Sequence, residues 1–68
     1  MEYVKMDNIE YKVIKSLKID DYLYYYTINE ENDNEVVILC KNLLDENSEI
    51  EKVDEREYPI LMNKFTLK

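Results

Sequence analysis

Apolar and polar side chains alternate through residues 1–28, and the alternation reverses at two polar pairs. Asp7-Asn8 sits between Met6 and Ile9, and Asp20-Asp21 sits between Ile19 and Tyr22. Asp and Asn tolerate positive φ better than other residues that carry a side chain, so each pair can close a two-residue hairpin loop. If Met6 pairs with Ile9, Val4 meets Tyr11. If Ile19 pairs with Tyr22, Leu17 meets Tyr24 and Val13 meets Ile28. Period-two alternation then predicts one apolar face across three strands, made of Val4, Met6, Ile9, Tyr11, Val13, Leu17, Ile19, Tyr22, Tyr24 and Ile28. Lys15, opposite Tyr26, breaks that face and is expected at a bulge or an edge. The other face receives Tyr3, Lys5, Glu10, Lys12, Ile14, Ser16, Lys18, Leu23, Tyr25 and Thr27, a mixture rich in lysine.

Beyond residue 28 the pattern changes. The polar stretch from Asn29 to Asn34 reads as a connection, and Val36-Val37-Ile38-Leu39-Cys40 is a continuous apolar run. Continuity implies a strand buried on both sides. Residues 42–48 form a second loop, with Leu43 and Leu44 expected to turn inward. A short fifth strand is expected in 49–53, anchored by Ile50. Asp54 with Glu57 three positions on matches a capping box, and Tyr58, Leu61, Met62 and Phe65 share a helical face. Pro59 opposes a helix by biasing Tyr58 away from helical angles. A short helix within 54–66 lying on the apolar sheet face is therefore expected, with Tyr58 to Met62 as an edge strand the competing reading.

Composition narrows what such a sheet can do. The 68 residues suit a single small globular domain over 1–68, with 16 acidic and 9 basic side chains, a formal charge of −7, no histidine, no glycine and one cysteine. That excludes a disulfide scaffold, a Cys/His zinc site, a glycine-rich phosphate loop and a histidine-based triad. No apolar run is long enough to cross a membrane, the first residues carry no secretory apolar segment, and a lone Cys40 suits a reducing compartment, so the expected location is the cytoplasm. Charge is uneven. Residues 1–28 hold five acids and four lysines, whereas residues 30–57 hold eleven acids against Lys41, Lys52 and Arg56. Glu30, Glu31, Asp33, Glu35, Asp45 and Glu46 form a candidate acidic surface for a basic partner, or else simply keep a small domain soluble.

Individual chemistries find little support. Cys40 has no histidine to activate it and apolar neighbours that raise a thiol pKa. The alternation of Asn29, Glu31, Asp33 and Glu35 loosely follows a calcium loop, but its turn glycine and terminal glutamate are missing, so a solvated loop is expected. The tyrosines at 22, 24, 25 and 26 could stack bases, yet alternation divides them and strand packing accounts for them. No catalytic residue, cofactor or metal is expected.

The strand pair Tyr11-Lys12-Val13-Ile14 and Asp21-Tyr22-Leu23-Tyr24, an acidic loop, Glu35-Val36-Val37-Ile38-Leu39 and the Ile50…Val53-Asp54-Glu55 passage share an order and spacing. In these features the stretch from Tyr11 to Phe65 resembles a family of small, acidic bacterial proteins of unknown function. The resemblance implies a small sheet with a C-terminal helix and no catalytic residue. The expected fold is α+β and mostly β, an antiparallel meander of four to five strands with a short C-terminal helix; a small SH3- or OB-like barrel is the alternative.

The leading functional expectation is a non-enzymatic protein-interaction or regulatory module, with a second copy of the chain as one candidate partner. Strand 36–40 is apolar on both sides, whereas one short helix covers one side. Tyr3, Lys5, Lys12, Ile14, Lys18, Leu23 and Tyr25 form the candidate interaction face. An acidic, nucleic-acid-mimicking inhibitor of a basic protein is the alternative. Direct nucleic-acid binding through the Lys/Tyr face is weaker still, because the net charge opposes it. No membrane partner is expected.

Overall fold

In the computed structural model, which describes residues 2–66, five antiparallel strands form a curled half-barrel sheet with one short C-terminal helix. The strands are β1 (Tyr3–Met6), β2 (Ile9–Ile19), β3 (Tyr22–Asn29), β4 (Glu35–Asn42) and β5 (Glu51–Lys52), hydrogen-bonded in chain order. A 3-10 turn (Glu55–Glu57) leads into the helix α1 (Tyr58–Thr66).

The turns form without glycine. Asp7 and Asn8 take φ of 52° and 66°, Asp20 takes 53°, and Asp33 and Asn34 take 53° and 56°. All five are Asp or Asn, the side-chain-bearing residues to which the left-handed region is most accessible. Met6 pairs with Ile9 and Ile19 with Tyr22, as the two polar pairs predict.

Between those turns the sheet departs from simple alternation. Leu17 meets Tyr24 and Lys15 meets Tyr26, but Val13 meets Thr27 and Lys12 meets Ile28, with an irregularity between Val13 and Lys15. One extra residue, Ile14, is absorbed there as a bulge. It corrects the expectation of a single ten-residue apolar face. Val4, Met6, Ile9, Tyr11 and Val13 share one side of the sheet with Tyr25, Thr27, Val37 and Leu39, whereas Leu17, Ile19, Tyr22, Tyr24 and Ile28 lie on the other side with Tyr26, Ile38 and Cys40.

Each side has its own core. On the first, here the inner face, Tyr11, Val37 and Leu39 are buried among Val4, Met6, Ile9, Tyr25 and Ile50. The sheet encloses this cluster by coiling. The Lys52 ammonium lies 6.0 Å from the centre of the Tyr11 ring. Strands β5 and β2 are three steps apart, about 14 Å in a flat sheet, so only coiling brings these corners together. Thr27, the buried polar side chain of this face, donates its hydroxyl hydrogen to the Val37 carbonyl at 2.7 Å.

The other side is covered by α1. Leu61 is buried, with Tyr58 and Met62 beside it, against Ile38, Tyr24, Cys40 and Val53, and Phe65 is buried one turn further along the helix. Phe65 meets Tyr26 edge-on, ring centres 5.7 Å apart. The segment 58–62 is thus helical and not an edge strand. Tyr58 keeps helical angles (φ −55°, ψ −46°) before Pro59, which stands in the first turn of α1, where a missing N–H costs least. Asp54 caps the preceding 3-10 turn, its carboxylate accepting from the Arg56 N–H at 2.9 Å.

Two polar contacts tie the helix to the sheet. Lys15 donates from Nζ to the Phe65 carbonyl at 3.1 Å, placing a cation on a carbonyl oxygen in the last turn. The Ile38 N–H donates to the Tyr58 hydroxyl oxygen at 3.1 Å, next to the point where Val53 N–H bonds the Ile38 carbonyl. Tyr58 thereby continues the ladder along β4 where the two-residue β5 stops.

Candidate interaction surface

The bulge divides the lysine-bearing face expected from alternation. Tyr3, Lys5 and Lys12 lie on the helix side of the sheet, whereas Lys18, Leu23 and Tyr25 lie on the inner side. Tyr25 packs into the inner core, and Ile14 stands exposed at the bulge. The seven residues therefore form no common surface. On the helix side, Tyr3 donates from its hydroxyl to Glu30 at 3.5 Å.

The acidic residues are also divided. Glu30, Glu31, Asp33 and Glu35 follow β3 or open β4 at one end of the sheet. Asp45 and Glu46 follow β4 at the opposite end, beside the Asp20-Asp21 turn. Eight-residue strands separate the two ends by about 27 Å. The first loop is internally bonded: Asn29 Oδ1 accepts from the Glu31 N–H at 3.1 Å, and Asn32 Nδ2 donates to Glu35 at 2.6 Å. Among the described residues, no three carboxylate, Cys or His side chains are placed to hold a metal ion.

The loop between β4 and β5 has a different character. Leu43 and Leu44, expected to turn inward, are 42% and 74% exposed. The loop's polar groups explain why. Asn42 Oδ1 accepts from the Leu44 N–H at 3.0 Å, Asp45 Oδ1 accepts from the Asn47 N–H at 3.0 Å, and Ser48 Oγ accepts from the Asn42 N–H at 3.3 Å. These bonds fold the backbone back on itself and turn both leucines outward. The Leu43 N–H also donates to the Asp21 carbonyl at 2.8 Å, fastening this loop to the β2–β3 turn. Tyr22, opposite Asn42 at the start of β3, adds a ring that is 42% exposed.

The two connections that form this tip are acidic and exposed, with Asp20 and Asp21 in the turn, Asp45 and Glu46 next to the leucines in sequence, and Glu49 ahead of β5. Lys18 and Lys41 flank Leu23 on the inner side of the same end. The tip was hidden from the sequence because two leucines in a loop read first as core. The signal that marks it is their confinement between Asn42 and Asp45, both of which cap turns.

Comparison with protein-family models, curated proteins and solved structures finds no match for this chain.

Cys40 lies half-buried on the helix side of β4. Burial pushes its thiol pKa up, and the nearby Glu51 and Glu57 carboxylates push it further. The phenol of Tyr24 is raised in the same way, by burial first and then by Cys40 and Glu57. Both groups favour their neutral forms. Asp54 shifts the other way: hydrogen bonds from the Arg56 side chain and backbone lower its carboxyl pKa. No helix among the described residues is long and apolar enough to cross a membrane.

Proposed function

We propose that this protein is a non-enzymatic, cytoplasmic interaction module that contacts another protein through the tip carrying Tyr22, Leu43 and Leu44. The observation that carries this reading is the exposure of two adjacent leucines on a loop whose backbone is already ordered. Exposed leucines contribute little to folding. Held in a fixed loop, they can bury their apolar surface against a partner at a small cost in ordering entropy. Leu44, being the more exposed, is the residue expected to contribute most to binding.

Both faces of β4 are filled from within one chain: Val37 and Leu39 by the coiled sheet, and Ile38 by α1. The apolar surplus on β4 that would favour a second copy is therefore satisfied internally, which directs attention to the tip instead. The lone thiol of Cys40 suits the cytoplasm.

Affinity capture from the native host with the whole chain, beside the Leu44→Ser variant, tests this reading. The expected result is a stoichiometric partner retained by the wild type and depleted about tenfold by the variant, while the variant's circular dichroism and melting curve stay unchanged. Identical captured sets would overturn the assignment of the tip.

A further inference from the structure

The charges around the tip carry the reading above one step further, from a docking surface to the chemistry of its partner. We propose that the tip docks a cationic amphipathic segment of a different protein, one whose apolar side chains cover Leu43 and Leu44 while its lysines or arginines face the surrounding carboxylates. This inference rests on the tip being an interaction surface. It concerns only what that surface selects.

Leu43 and Leu44 supply the apolar centre, and Tyr22 supplies an aromatic edge whose ring centre lies 6.3 Å from that of Tyr24. The carboxylates of Asp20, Asp21, Asp45 and Glu46 stand on the two connections that meet here, fastened together by the bond from Leu43 N–H to the Asp21 carbonyl. None of the four is engaged by a salt bridge among the described residues, in contrast to Asp54, which pairs with Arg56 at 2.9 Å. An apolar centre with an unneutralised acidic rim discriminates by charge. A cationic partner gains on approach, and an acidic one is repelled before apolar contact can form.

The same charges disfavour a second copy at this site. Tip-to-tip contact would set these carboxylates against their own image, in a chain whose formal charge is already −7. Lys18 and Lys41 lie on the inner side of this end, so the acidic field is strongest toward the turn and the leucine loop.

The test is an NMR titration of the whole chain with three synthetic peptides of equal length: one of leucine and lysine in amphipathic order, the same peptide with glutamate for lysine, and oligolysine. The inference predicts that only the leucine–lysine peptide moves the amides of residues 20–22 and 42–47 at submillimolar concentration. Leu44→Ser should weaken it at least about tenfold, and Glu46→Lys should weaken it several-fold while flattening its salt dependence. Binding of the leucine–glutamate peptide at the tip with equal strength and equal sensitivity to Leu44→Ser would overturn the cationic preference but leave the tip as an interaction surface. Oligolysine binding as tightly, unaffected by Leu44→Ser, would reduce the site to plain charge attraction and overturn the inference. Shifts confined to other residues, or no shift with any peptide, would overturn the inference together with the reading on which it rests.

Discussion

The two faces of β4 are buried by different means. On the inner face, Val37 and Leu39 are enclosed by strands of the same sheet, because coiling carries Tyr11 and Lys52 toward one another. On the outer face, Ile38 is covered by a nine-residue helix that depends on Leu61 and Phe65 for its hold. A helix that short does not persist alone in water, so it forms with its packing or not at all. The inner cover cannot be lifted without dismantling the sheet. No strand pairing runs through the helix, so it is expected to leave while the strands stay paired. Differences in local stability along this chain are therefore expected to follow from how each side is covered, not from how apolar it is.

Truncating one buried side chain on each side separates these behaviours most strongly. Leu39→Ala should cost about 2–5 kcal/mol and lower the stability of the whole domain, and Phe65→Ala about 3–5 kcal/mol. The two should differ in amide exchange. Phe65→Ala is expected to release residues 58–66 well before the strands, whereas Leu39→Ala should raise exchange throughout. Uniform exchange in both variants would show that the helix and sheet unfold as one unit.

Deleting Ile14 probes the junction between the two sides. Because the bulge absorbs one surplus residue on β2, its removal leaves Val13 facing inward and Lys15 facing the helix, so the chain should still unfold cooperatively. An uninterrupted β2 would instead be reversed on one side of the deletion, and folding would be lost. The expected cost is within the range of ordinary substitutions, about 0.5–3 kcal/mol, since the bulge also contributes twist.

A smaller effect is expected from Lys15→Met. The substitution keeps an apolar stem but removes the cation that donates to the Phe65 carbonyl at 3.1 Å. A loss of about 1 kcal/mol, concentrated in the exchange of the last helical turn, is predicted from the helix dipole and a charged hydrogen bond. Equal protection of that turn in both proteins would remove Lys15 from the account.

The mildest test is alkaline titration. Burial raises the pKa of Cys40 in the folded chain, so the unfolded chain ionises first as pH climbs. Stability is thus complete below the ordinary thiol pKa of about 8.5 and declines above it, until the folded thiol also ionises. Tyr24 adds a later decline by the same sign. Melting curves of Cys40→Val should be flatter between pH 8 and 10 than those of the wild type, and parallel curves would contradict the assignment.

Much of this architecture was legible from residue order. Asp7-Asn8 and Asp20-Asp21 marked the reversals, the run from Val36 to Cys40 marked a strand buried on both sides, and Leu61 and Phe65 marked the buried stripe of α1. The break at Lys15 was legible as a bulge or an edge, but its consequence for the two faces was not, because Val13-Ile14-Lys15 offers an apolar residue in either phase and periodicity alone cannot choose between them. The pairings near each turn, Val4 with Tyr11 and Leu17 with Tyr24, follow from the turns themselves. Leu43 and Leu44 read as inward-facing for a related reason. Hydrophobicity argues for burial, but the side-chain caps from Asn42, Asp45 and Ser48 fix the backbone first. The candidate lysine face vanished with the bulge, and the exposed loop took its place.

The central claim is that one surplus residue at Ile14 divides the apolar residues of β2 between both sides of the sheet. Cross-strand nuclear Overhauser contacts on the isotope-labelled chain test it most directly. The account predicts backbone contacts joining Val13 to Thr27 and Lys15 to Tyr26, with Lys52 methylene protons close to the Tyr11 ring. Contacts joining Val13 to Ile28, with no signal between Lys52 and Tyr11, would contradict it.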